Sequence, residues 1–228
     1  MSEIGARVRR ATLQLGPHLA AQAGLDLADP GDRVRWLALA RLASERAPEE
    51  RVLAGFRRLA AGDLAAAGPA QIAAVLREAR LREPEVVARV LCRAASALAE
   101  RYRGDLDALA ADCEDLEQLG SRLAALAPGL GTATVLRFLR PLRELWQAAR
   151  ETPIAGTAHA AAVHVGLIAA DEDLDGEPAA LLAACARHAP ELSPIDVEAA
   201  LERLGARACR SQRAVRCPLG DDCPARGR

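Results

Sequence analysis

Apolar residues three and four apart recur along most of the chain, and prolines and glycines break the pattern at intervals. That period is the signature of amphipathic helices packed on one another. The spacing predicts a first helix over 4–24, which ends before the loop LADPGD at 27–32. Val34, Leu37, Ala40 and Leu42 mark a second over 33–46, and Pro48 opens a third with Val52, Leu53, Phe56 and Leu59 on one stripe. After Gly68-Pro69, Ile72, Val75, Leu76 and Ala79 repeat the pattern. A longer helix follows Glu83-Pro84, with Val86, Val87, Val90, Leu91, Ala94 and Leu98 inward, since proline suits a first turn. Shorter segments at 105–111 and 115–126 precede a helix from Thr132 toward Pro141, and 143–150 is expected to continue as helix. Ala158–Ile168 is apolar on most sides, the acidic stretch 171–178 reads as a loop, and helices are expected at 179–188 and 195–207. No repeat at solenoid spacing interrupts this series.

Composition agrees with an all-α chain. Of 228 residues 51% are apolar but only 2% aromatic, and alanine, leucine, arginine and glutamate are good helix formers and poor strand formers. The net charge is −1, so any nucleic-acid-binding face must be a local patch. Every basic side chain other than histidine is arginine, for the sequence contains no lysine. The N-terminus lacks the apolar stretch of a secretory signal and charges interrupt every candidate span, so no membrane association is expected. Three of the six cysteines, Cys209, Cys217 and Cys223, crowd the C-terminus, which in a cytoplasmic protein suggests metal rather than disulfide.

The stretch LAPGLGTATV (126–135) carries the most specific chemistry. Pro128 and Gly129 open a tight reversal, and Gly131 leaves backbone N–H groups unobstructed. The helix from Thr132 adds unpaired N–H groups and the positive end of its dipole. The result is a pocket suited to a phosphate, with the Thr132 and Thr134 hydroxyls in reach and Leu130 pinning the turn to the core. An ordinary helix–helix turn is the alternative reading of these ten residues.

The wider stretch from IAAVLREARL through GDLDAL to APGLGTATV resembles the helix-hairpin-helix DNA glycosylase superfamily, endonuclease III in particular. IDVEAALERLGARAC (195–209) is similar to the family segment that delivers the first cluster cysteine. The resemblance spans about 30–223 and implies two lobes. One is a six-helix barrel containing the hairpin, at 30–145; the other joins 1–29 to 146–228 and carries an iron–sulfur cluster. It also implies duplex DNA as the partner of a monomeric protein.

Three departures bear on catalysis. The family's Schiff-base lysine falls on Ala133, and no lysine stands elsewhere, so lysine-dependent lyase chemistry is excluded. In AGTAHAAAV (155–163), aligning His159 places Thr157 where monofunctional members keep an aspartate. A neutral hydroxyl cannot stabilise an oxocarbenium-like centre as a carboxylate does. Asp171, Asp173 and Asp175 are candidate substitutes only as part of a solvated acidic loop, and His159 reads as a helix residue with a satisfied ring. In ARLASERAP (40–48), Glu45 or Arg46 replaces the glutamine that fills the gap left by an extruded base. No catalytic residue is therefore assigned.

The family's four-thiolate pattern, C-x6-C-x2-C-x5-C, is represented by Cys209, Cys217 and Cys223, with the second position missing. A four-iron, four-sulfur cluster on three thiolates, a metal-free knuckle and a zinc site all remain open. Arg203, Arg207, Arg210, Arg213 and Arg216, with Arg226 and Arg228 beyond, form the densest basic patch, and Arg210 and Arg213 occupy the loop that touches phosphate in the family. The expectation is a DNA-binding protein related to base-excision repair without standard glycosylase or lyase activity. A divergent monofunctional glycosylase and a helical interaction or redox-sensing module are the alternatives.

Overall fold

The computed structural model describes residues 2–45, 47–60, 67–169, 178–209 and 217–224. Among them every regular element is helical and no strand occurs, as the periodicity predicts. No helix there is long and apolar enough to cross a membrane. The chain divides into two compact units, 1–22 with 151–228, and 23–150.

The chain opens with α1 (Glu3–Leu15) and the single turn α2 (Leu19–Gln22). The continuous helix expected over 4–24 is broken because Gly16 takes φ +79° and Pro17 has no N–H to continue the ladder. Ser2 caps α1 by accepting from the Gly5 N–H at 3.1 Å.

The central unit holds α3 (Pro30–Ala43), α4 (Glu49–Ala60), α5 (Pro69–Glu78), α6 (Pro84–Tyr102), α7 (Leu106–Ala111), α8 (Leu116–Ala124) and α9 (Thr132–Leu139). Aspartates start three of them: Asp29, Asp105 and Asp115 each accept a backbone N–H of the first turn. Leu39, Leu42, Phe56, Ile72, Leu76, Leu106, Leu109, Leu119, Leu123 and Phe138 are fully buried and make its core. Residues 23–29 and 146–150, expected in the other lobe, belong to this unit. Arg33 holds the carbonyls of Leu27 (2.6 Å) and Ala28 (3.0 Å), and the Trp146 indole donates to Asp107 at 2.8 Å.

That tryptophan also explains why 143–150 is not an α-helix. Trp146 is extended (φ −117°, ψ 122°), between 3₁₀ turns at Arg140–Leu142 and Gln147–Ala149. Its ring meets Phe138 edge-on at 5.7 Å, so tertiary anchoring overrides local helix propensity.

In the other unit, α1 and α2 are joined by α10 (Gly156–Val165), α11 (Pro178–His188) and α12 (Pro194–Leu204), followed by a π-helical turn at Gly205–Cys209. Its core is rich in alanine: Ala158, Ala161, Ala162 and Ala200 are fully buried. Small side chains let the backbones approach closely, and glycines complete the fit. A Cβ on Gly205 would stand 2.0 Å from the Thr157 carbonyl oxygen, and one on Gly5 would stand 2.1 Å from that of His188. Arg203, buried at 6% exposure, donates to the carbonyls of Leu15, Gly16 and Pro17 and closes the C-terminal end of α1.

Candidate nucleic-acid interface

The turn between α8 and α9 is built by two glycines with different duties. Gly129 has φ +106°, a left-handed conformation that a side chain strains, and a Cβ there would meet Val90 Cγ2 of α6 at 2.6 Å. Gly131 is the N-cap of α9 in ordinary extended backbone (φ −75°), with nothing within 4 Å of where its Cβ would lie. Between them Leu130 is 2% exposed and anchors the turn in the core.

Pro128, Gly129, Gly131, Thr132 and Ala133 face solvent. The Gly131 carbonyl accepts from Thr134 (2.9 Å) and Val135 (3.1 Å), which starts the helical ladder. The N–H groups of Gly129, Gly131, Thr132 and Ala133 meet no acceptor among the described residues. These donors and the positive end of the α9 dipole make the turn an exposed, donor-rich surface, the kind of feature to which anions are drawn. The stretch between Glu117 and Glu144 contains no carboxylate and four arginines, Arg122, Arg137, Arg140 and Arg143.

Thr134 departs from the expectation of a phosphate-facing hydroxyl. It is 3% exposed, and its Oγ1 lies 3.0 Å from Ser44 Oγ beyond the end of α3. Position 134 is two residues into α9, about 200° around the helix from Thr132, so its side chain meets the core rather than the turn. Only Thr132, at the exposed start, keeps a hydroxyl beside the free amides. The same contact brings the Ser44–Glu45 turn to the hairpin's inner side. Glu45 is tied to Arg41 at 2.5 Å, which engages it away from a gap-filling role; Arg46 lies outside the described residues.

In the other unit Cys209, Cys217 and Cys223 pack against one core, all three as free thiols. Burial pushes the Cys209 thiol up to about 11, and the neighbouring Cys217 and Cys223 sulfurs add to the effect. Burial likewise raises Cys217, which hydrogen-bonds with Cys223. The three thiols thus converge, yet among the described residues no three His, Cys, Asp or Glu side chains are arranged to hold a metal ion. The carboxylate of Asp222, the residue before Cys223, is paired with Arg10.

The basic patch loses one member and leaves most others unplaced. Arg203 is buried on three carbonyls and cannot face DNA. Arg207 is exposed, while Arg210, Arg213, Arg216, Arg226 and Arg228 lie outside the described residues, as do Asp171, Asp173 and Asp175. Thr157 sits in the first turn of α10, its carbonyl pressed against Gly205. His159 Nε2 is buried with no partner among the described residues, so the ring is not satisfied as expected.

Two neighbours of the turn escaped the sequence reading: Ser44 and Val90. Their signal was weak, since nothing local links positions 44, 90 and 129; only the valine stripe of α6 hinted at a contact there. No family model matches the chain, and no curated protein matches it at a significant level.

Proposed function

We propose that this chain is an endonuclease III-like, helix-hairpin-helix DNA-binding protein related to base-excision repair, which holds duplex DNA by phosphate contacts and lacks the standard glycosylase and lyase reactions. The observation that carries the reading is the solvent-facing turn whose four N–H groups meet no protein acceptor among the described residues. Such a turn grips a phosphate oxygen without reading bases. The two-unit division, in which residues 1–22 associate with 151–228, accords with the lobes that the sequence resemblance implies.

The absence of lysine-dependent lyase chemistry follows from composition. A Schiff base needs a neutral amine, arginine stays protonated, and no lysine is present. Ala133, at the lysine's place, offers only a methyl group to solvent. Thr157 carries no charge to stabilise an oxocarbenium-like centre.

Fluorescence anisotropy with a labelled duplex across a salt series tests the reading. The expected dissociation constant is about micromolar or weaker at physiological salt, and each phosphate contact adds about 0.9 to the slope of log affinity against log salt. Affinity indifferent to salt contradicts it. The unpartnered His159 Nε2 favours a second reading, a divergent monofunctional glycosylase with an imidazole acceptor at the family motif's position. Released base or alkali-labile sites in a panel of damaged duplexes would establish that alternative. Iron and sulfide assays on anaerobically purified protein test whether Cys209, Cys217 and Cys223 hold a four-iron, four-sulfur cluster.

A further inference from the structure

The hairpin turn rests on α6, and that helix carries a cation beside it. Gly129 lies so close to Val90 that an added Cβ would stand 2.6 Å from Cγ2. Val90 therefore marks the line where the turn crosses α6. Arg93 is three residues further on, about 60° around the helix and roughly 4.5 Å along it. Its side chain is exposed, as is that of Arg89, one residue before Val90. Val86, one turn earlier on the same face, is 38% exposed, so this side of α6 is open beside the turn.

The two arginines differ in what surrounds them. Arg89 lies near Glu85, whose carboxyl is lowered mainly by its hydrogen bond from Arg77. Arg93 has no ion pair or hydrogen bond among the described residues. The nearest acid further along this face is Glu100, seven residues on and about 10 Å away along the axis. A guanidinium with no carboxylate partner among the described residues, next to a set of open backbone donors, extends the donor-rich surface beyond the turn.

We infer that Arg93 is a second phosphate anchor, engaging the backbone of the same duplex one step from the phosphate held by the Gly129–Ala133 turn. This rests on the hairpin reading above. A guanidinium suits the task because its planar fork donates two parallel hydrogen bonds to phosphate oxygens. The contact is to backbone alone, so it adds affinity and salt dependence without sequence preference.

The test compares the full-length wild type with Arg93→Gln, Arg93→Lys and the charge control Arg58→Gln, whose arginine is held by Glu78. Anisotropy titrations with a labelled duplex at several salt concentrations give each slope. Arg93→Gln is expected to lower the slope by about one and weaken binding severalfold, while Arg93→Lys retains most of it and Arg58→Gln retains all. All four proteins should melt alike, because the replaced side chains are exposed. Wild-type binding with an unchanged Arg93→Gln slope, or an equal loss in Arg58→Gln, overturns this inference alone. Salt-insensitive or absent binding by the wild type removes the hairpin reading and this anchor together.

Discussion

At the scale of single residues, three glycines show how much depends on one hydrogen atom. Gly129→Ala would force a Cβ into Val90 at a positive φ and should cost about 1–3 kcal/mol of stability by chemical denaturation. Gly131→Ala meets open space and ordinary backbone and should cost only what a poorer N-cap costs, about 0.5–1 kcal/mol in the same experiment. Gly205→Ala drives a Cβ to 2.0 Å from a backbone carbonyl, which cannot rotate away as a side chain can. Its cost should reach or exceed the upper end of the roughly 1–3 kcal/mol typical of overpacking. The hairpin was legible in the sequence as a motif, but its two glycines look equivalent there. What separates them is Val90, a neighbour in space and not in sequence. Thr134 is hidden from a sequence reading for the same reason: its hydroxyl partner, Ser44, is brought near only by the packing of α9 on α3.

At the scale of elements, helix existence was readable and helix ends were less so. Periodicity placed α3 to α9 because their apolar stripes face one core, and the aspartate caps at 29, 105 and 115 reinforce the starts. It failed at 143–150, where the Trp146 indole is held by Asp107, and at the end of α1, where a glycine and a proline adjoin. The carbonyls left open at that end are gathered by Arg203. Arg203→Ala should therefore destabilise the fold by about 1–3 kcal/mol, the cost of leaving buried acceptors unmet. A thermal melt as stable as the wild type would show that water satisfies them equally well.

At the scale of the whole molecule, composition decides both what the chain builds and what it cannot do. Few aromatics and many alanines give helices that approach closely, as in the unit holding α10 and α12. The absence of lysine has a direct chemical consequence. Incubation with abasic duplex and borohydride should yield no covalent adduct, where a lysine-dependent lyase would be trapped. The arginines of 210–216 remain an expectation from sequence, because their packing is not among the described residues.

The central claim, that the exposed turn holds DNA phosphate, is tested most directly by Gly131→Asp. Aspartate is a better N-cap than glycine by a few tenths of a kcal/mol, and the site has room for it. The variant should melt at or slightly above the wild-type temperature while its carboxylate takes up the free amides and repels the backbone. Duplex affinity, read by anisotropy at low salt, should fall at least about tenfold, or 1.4 kcal/mol. A variant that is equally folded and binds duplex as tightly as the wild type would contradict the account.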